Sequence, residues 1–362
     1  MFNQIYKNKK VLITGHTGFK GSWLSLWLKR LGAEVLGYSL EPPTQPNHFH
    51  LLSLNIHSII GDIRDREKFY SVVEDFKPDI VFHLAAQPLV RYSYKNPIET
   101  FETNIIGTAN VFEACKKVSS VKAIVNITSD KCYENKEWVW GYRENDSMGG
   151  YDPYSASKGC AELITSSYRN SFFNIKDYGE KHNTLLASAR AGNVIGGGDW
   201  SEDRLIPDIV KATSKKEKVF IRNPLATRPW QHVLEPLSGY LHLGQKLLQG
   251  KKEFADGWNF GPNDESIVSV EEVVTKAKSF WNEIEYEINT DLADLHEAML
   301  LKLDCSKAHY YLKWKPIWDI NKTLQKTINW YKTFYEKKEI LTNSDLQSYI
   351  EDAEKLGVEW IK

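Results

Sequence analysis

Lys10-Val11-Leu12-Ile13-Thr14-Gly15-His16-Thr17-Gly18-Phe19-Lys20-Gly21 is the stretch that decides the fold. Its first five residues form a short, β-branched apolar run of the kind a buried parallel strand shows. After Gly21 the apolar residues Trp23, Leu24, Leu26, Trp27, Leu28 and Leu31 follow a helical pattern. Between strand and helix the glycines are spaced Gly-x-x-Gly-x-x-Gly. They allow a tight turn and a close approach of backbone to a diphosphate, which would rest on the free N–H groups at the helix N-terminus.

Strand-like runs continue at 34–38, 58–61, 79–84, 121–128 and 184–189, with helical segments between them. This alternation predicts an α/β fold with a doubly wound, parallel, Rossmann-type sheet. On such sheets ligands bind beyond the carboxyl ends of the strands. The glycine turn, His83-Leu84-Ala85-Ala86-Gln87 and Thr128-Ser129-Asp130-Lys131 all fall there. From about Gly192 the pattern changes to loops rich in Gly, Pro, Trp and Arg, followed by helices near 234–249 and 270–281 and a strand-like 285–288. Residues 1–191 are therefore expected to form the dinucleotide-binding domain, with some segments of 225–265 returning to it. Residues 192–362 would form a smaller, partly interleaved substrate domain, with no linker between the two.

Tyr154-Ser155-Ala156-Ser157-Lys158 places a tyrosine four residues before a lysine, so on a helix both side chains share one face. The lysine charge would lower the phenol pKa and let Tyr154 take a proton from an alcohol. Alone the pair is a weak signal; beside a dinucleotide turn it points to nicotinamide-dependent alcohol oxidation.

With 46 basic and 47 acidic residues the formal charge is −1, which excludes a broad footprint for nucleic acid or anionic membrane. Any anionic ligand must be held by local groups. Cys115, Cys132, Cys160 and Cys305 show no Cys-x-x-Cys spacing. No secretory pattern precedes the first strand, and no apolar run is long enough to span a membrane. A reduced, cytoplasmic protein without a structural disulfide or a metal site is expected. The 12 tryptophans and 18 tyrosines serve mostly in core packing, with stacking on a sugar or base open to some of them.

The glycine turn, Asp62-Ile63 after a strand and Tyr154-x-x-x-Lys158 together resemble the extended short-chain dehydrogenase/reductase family of nucleotide-sugar epimerases and dehydratases. The resemblance covers nearly the whole chain. Thr128 to Tyr133, Glu134 to Tyr142, Tyr151 to Tyr154 and Arg228-Pro229-Trp230-Gln231-His232-Val233 are most similar to the dehydratase branch that takes CDP-glucose. The resemblance implies internal redox with loss of water: Tyr154, helped by Lys158, removes the C4 hydroxyl proton while hydride leaves C4, and Ser129 bonds the same oxygen. The resulting 4-ketone acidifies the C5 proton. Asp130 is the acid for the C6 hydroxyl, provided burial keeps it protonated. Lys131 stands where related dTDP-glucose dehydratases carry a glutamate base; a neutral lysine would act as base and a charged one would stabilise the enolate.

The same resemblance implies NAD as cofactor, held by Gly15, Thr17, Gly18, Phe19 and Gly21 at the diphosphate, Ser39, Asp62 and Ile63 near the adenosine, and Ala85, Ala86 and Gln87 after the fourth strand. Tyr154 and Lys158 sit at the nicotinamide ribose. Asn104 matches a family asparagine, although a helix cap or turn explains it equally well. The acidic residue usual after the second strand is missing, since Tyr38, Ser39 and Leu40 stand there with Glu41 just beyond. NAD rather than NADP therefore follows from the family, and from a cofactor that cycles in place. For the substrate diphosphate, Asn193, Arg204 and Arg228 are the candidates, with His232 as a further contact. His296 is a weaker candidate, and Trp230 would either stack on the base or pack. A homodimer or homotetramer, built on helices near 98–117 and 154–169, and a place in deoxysugar biosynthesis for lipopolysaccharide O-antigen are also implied. An epimerase or reductase of the same family would use Tyr154 and Lys158 without Asp130. A non-catalytic NAD-sensing protein would be expected to lack the pair.

Overall fold

The computed structural model describes residues 1–289 and 299–362. Seven strands form one parallel sheet: β1 (Lys10–Thr14), β2 (Glu34–Ser39), β3 (His57–Ile60), β4 (Ile80–His83), β5 (Ala123–Ile127), β6 (Leu185–Arg190) and β7 (Gly257–Asn259). Their order is 3-2-1-4-5-6-7, so the direction of winding reverses beside β1. The six sequence-expected strands are present. The seventh was not anticipated, because Gly257-Trp258-Asn259 is too short and polar to read as a run.

Alternation along each strand divides its side chains between two covered faces. Val11 and Ile13 of β1, Phe82 of β4 and Val125 of β5 belong to one core, and Leu12, Val81 and Ile124 to the other. The first face is covered by α1 (Phe19–Arg30), and the second by α2 (Arg66–Phe76), α3 (Gly107–Lys117) and α4 (Pro153–Ser171). α4 begins with Pro153, and Asp152 accepts a hydrogen bond from Ser155 N at 2.9 Å, so its first turn is capped where its functional residues lie. Ahead of α3 the chain passes through a short helix, Pro97–Phe101, and a π-helical segment, Glu102–Ile106.

A second core gathers Trp200, Trp230, Trp281, Trp330 and Tyr331 with the apolar faces of α5 (Leu205–Ser214), α7 (Val270–Phe280) and α8 (Ile320–Lys337). Interleaving goes further than 225–265. α6 (Leu234–Leu248), the segment from Ala308 to Trp318 and the helix α9 (Thr342–Leu356) all contribute to the core around α1. Glu235 ties these returns together, accepting from Ile317 N at 2.9 Å, Trp318 N at 2.7 Å and the Tyr349 hydroxyl at 2.7 Å.

Candidate active site

Beyond the carboxyl ends of β1, β2, β4, β5 and β6, and facing the second core, lies a cavity of about 1050 Å³. That exceeds what one small ligand needs. Gly15 enters it with φ +78°, and a Cβ there would meet Ala85 N at 2.8 Å. Only glycine keeps the β1 and β4 loops this close. Gly18, Phe19, Gly21 and Thr17 line the same end, and the Thr17 hydroxyl bonds the Ser39 hydroxyl at 2.8 Å and donates to Leu40 O at 2.9 Å. Asp62 and Ile63 line it after β3, and Ala85 and Ala86 after β4. This glycine cradle at a sheet's winding reversal fits the diphosphate of a dinucleotide. Glu41, two residues past β2, also lines the cavity, so an acid is present there, displaced from the strand end.

Gln87 and Asn104 are not among the lining residues. Asn104 grips the backbone of residue 87 at both ends, accepting from Gln87 N at 2.8 Å and donating to Gln87 O at 3.0 Å, and it also donates to Ser157 at 2.8 Å. The Gln87 side chain closes its own turn on Leu89 and Thr100. Both residues thus fix the β4 loop against α4. Contact with a cofactor, expected from the sequence, is not what their geometry provides.

Ser129, Asp130, Lys131, Tyr154 and Lys158 converge on the middle of the cavity. β5 delivers the first three in a single 3-10 turn, where Ser129 Oγ accepts from Lys131 N at 3.2 Å and donates to Asp130 Oδ1 at 3.0 Å. Asp130 is 2 % exposed, and its Oδ2 has no hydrogen-bond partner among the described residues. Burial pushes the Tyr154 phenol up to about 12; hydrogen bonding with Ser129 works the other way. The cation that lowers it is Arg204, and the lowering by Lys158 expected from the sequence is not among the influences on Tyr154. Burial also lowers Lys158 to about 8.

One turn behind Lys158, Glu162 anchors this arrangement. It accepts from Thr128 Oγ1, from the Ser188 hydroxyl at 2.7 Å and from Arg190 at 2.8 Å. Arg190 in turn donates to the Tyr133 hydroxyl at 2.6 Å, which donates to Asn259 Oδ1 at 2.7 Å. β5, β6, β7 and α4 are locked together under the site. The sequence reading missed this network, because its members are scattered over more than 130 residues with no motif.

On the far side Asn193, Arg204 and Arg228 line the cavity, as does Trp230. Arg204 pairs with Asp199 at 3.0 Å. Arg228 donates to Thr227 O at 2.8 Å and Met299 O at 3.2 Å, which hold its guanidinium in place. Trp230 is buried and donates to Val268 O at 3.2 Å, so packing accounts for its indole nitrogen. His232 does not reach the cavity. It is fully buried between Trp23 and Trp318, and burial lowers it to about 3. Its expected role as a substrate contact is corrected: alternation would carry it with Arg228 and Trp230, but Gln231–His232 leaves that strand and pairs with Val194–Ile195. His296 lies outside the described residues.

Residues 12–327 match the family described as GDP-mannose 4,6 dehydratase. A CDP-glucose 4,6-dehydratase of Salmonella typhimurium is 55% identical over 338 residues, covering 93% of this chain and 94% of the relative. A dTDP-D-glucose 4,6-dehydratase of Dictyostelium discoideum is 28% identical, over 71% of this chain and 59% of the relative. Among solved structures, the epimerase Mth375 of Methanothermobacter thermautotrophicus superposes with a TM-score of 0.77 at 23% identity, covering 95% of this chain and 97% of that one. A dTDP-glucose 4,6-dehydratase from Bacillus anthracis, solved in complex with NAD, gives 0.72 at 20%, covering 91% and 98%. These last two likenesses concern the fold.

Proposed function

The chain belongs to the GDP-mannose 4,6 dehydratase family, and from that premise we propose that it acts as a hydro-lyase, converting CDP-glucose to CDP-4-dehydro-6-deoxy-glucose and water with NAD as cofactor. The reading of the base rests on the 55% identity to the Salmonella relative along nearly the full length of both chains. What carries the reaction type is the placing of Asp130 beside Ser129 in the cavity that Tyr154 and Lys158 also line. An epimerase needs the alcohol-oxidising pair but no acid for a departing hydroxyl.

Bound in the cradle, NAD would supply the hydride acceptor for the sugar C4 and the hydride donor for C6. Gly15, Thr17, Gly18, Phe19 and Gly21 would hold its diphosphate, and Ser39, Glu41, Asp62 and Ile63 would flank its adenosine. Ala85 and Ala86 would run along it, and Lys158 would bond the ribose. Tyr154 takes the C4 hydroxyl proton, with the Ser129 hydrogen bond and the Arg204 charge offsetting part of the cost that burial imposes on the phenolate. Ser129 bonds the same sugar oxygen. Asp130, through the carboxyl oxygen its neighbours leave unpaired, gives a proton to the departing C6 hydroxyl. Lys131 is assigned to C5, either taking its proton or balancing the enolate. Asn193, Arg204 and Arg228 hold the nucleotide diphosphate.

Residues 1–191, with β7, α6 and the C-terminal returns, make the dinucleotide-binding part of this reading, and the core around Trp200 and Trp330 the sugar-nucleotide part. A homodimer fits as well. The segment from Pro97 to Ile106 packs along α4, yet Ile98, Ile106 and Leu163 stay 67%, 55% and 60% exposed, an apolar strip that a second copy would cover. No helix among the described residues is long and apolar enough to cross a membrane, and the four cysteines are free, in keeping with work in the cytoplasm on deoxysugars for lipopolysaccharide O-antigen. The test is incubation with NAD and a panel of CDP-, dTDP-, UDP- and GDP-hexoses, with products followed by mass. Loss of one water from CDP-glucose alone is expected. Unchanged mass with altered configuration would remove the role given to Asp130.

A further inference from the structure

Lys20 belongs to the glycine turn, and the mechanism above does not use its side chain. It is the second residue of α1, and a side chain in the first turn of a helix leans back toward the N-terminus. That direction takes it over the turn and into the cavity, which it lines. Three charged groups act on its ammonium there: Asp130 after β5, Lys158 on α4 and Arg204 at the start of α5. Arg204 is already matched by Asp199. Among the described residues Lys20 itself forms no ion pair and no hydrogen bond.

A lysine with two cations and one carboxylate for neighbours, in a confined cavity and without a partner, is a group waiting for an anion. The anions brought to this cavity under the reading above are diphosphates, one on the dinucleotide and one on the nucleotide sugar. We infer that Lys20 is a diphosphate-binding residue, its side-chain nitrogen meeting a nucleoside diphosphate group that enters the cavity. The inference rests on the proposed function, which it deepens by adding a side-chain contact to a cradle otherwise made of backbone N–H groups. Burial, helped by Arg204 and Lys158, lowers Lys20 to about 7 in the free protein, so near neutral pH a fraction of the molecules carry it uncharged. A dianionic ligand reverses that balance.

Calorimetric titration of the full chain separates the possibilities. NAD and CDP are titrated in turn at about pH 7.5 in two buffers of different ionisation enthalpy, into the wild type, Lys20→Gln and Lys20→Arg. Uptake of about three quarters of a proton is expected on binding to the wild type. Lys20→Gln should abolish the uptake and weaken that ligand about 10- to 100-fold. Lys20→Arg should keep most of the affinity with no uptake, since guanidinium stays charged throughout. Uptake seen with NAD assigns the contact to the cofactor's diphosphate, and uptake seen with CDP assigns it to the substrate's. Binding of both ligands without uptake, and unchanged in Lys20→Gln, overturns the role of Lys20 while leaving the functional reading intact. If the wild type binds neither, that reading fails and this inference falls with it.

Discussion

The carboxylate of Asp130 rests on the backbone of Gly192, so closely that a side chain at 192 would occupy the space of Oδ2. β6 ends two residues earlier, and the absence of a Cβ there is what leaves room for Oδ2 while the other oxygen is held by Ser129. Gly192→Ala is therefore expected to displace the acid. Overpacking of this kind costs about 1–3 kcal/mol, and turnover of CDP-glucose should fall about 10²-fold or more. Thermal unfolding and a product assay on the same sample measure both, and a fully active Gly192→Ala enzyme would refute the placement of Asp130.

Tyr154→Phe removes the hydroxyl that the proposal uses for the first proton transfer. A fall in kcat of about 10²- to 10⁴-fold is expected, with affinity for NAD close to that of the wild type. Rate measurements with CDP-glucose beside calorimetry with NAD check this. Substantial residual turnover would move the base elsewhere.

Glu162 and Arg190 are 3% and 5% exposed at their side chains, with nitrogen and oxygen 2.8 Å apart. Burial raises the carboxyl, but the Arg190 charge and the hydrogen bonds from Arg190, Thr128 and Ser188 outweigh it, leaving Glu162 below its usual range. Glu162→Ala strands a buried guanidinium, for which a loss of about 3–5 kcal/mol is expected. Urea unfolding measures it. The double variant Glu162→Ala, Arg190→Met should recover part of that loss, since no buried charge is then left unmatched.

Stability should fall on mild acidification. Burial lowers His48, His83, His232 and His242 to about 3 and His16 to about 4. An unfolded chain protonates these near its ordinary value of about 6.5, so their contribution is intact above that pH and is lost as pH falls below it. Glu235, pushed up to about 7, and Asp208 and Asp345, pushed up to about 6, act in the opposite sense because they take up protons in the folded state. The histidines outnumber them, and a net loss of about 1–3 kcal/mol per pH unit is expected between pH values of about 6 and 5. Urea midpoints across that interval provide the measurement; a midpoint that rises on acidification would contradict the balance.

The sequence made the sheet legible where strands were apolar runs, as at β1 and β5, and silent where a strand was three residues of Gly, Trp and Asn. Local motifs carried Ser129, Asp130, Tyr154 and Lys158 to their places, because a turn and a helix are enough to set such neighbours side by side. His232 shows the limit of that logic. Its alternation with Arg228 and Trp230 is real, but the strand ends at Pro229 and the next pair belongs elsewhere, which only tertiary pairing decides. For Gln87 and Asn104 the resemblance implies cofactor contacts, but the π-helical segment that turns Asn104 toward the backbone of residue 87 leaves no mark in residue spacing.

The late arrival of β7 bears on how the chain is made. Its three residues join the sheet edge beside β6 only after some sixty-odd positions shared between both cores, and α9 (Thr342–Leu356) covers the first core later still. A nascent chain leaving the ribosome thus holds an unfinished sheet edge until Gly257–Asn259 is made, and an uncovered face beside α1 until Thr342–Leu356 follows. Contacts so distant in sequence close slowly. Synthesis that stalls anywhere before residue 342 would release a fragment with apolar surface on show, a natural client for chaperones.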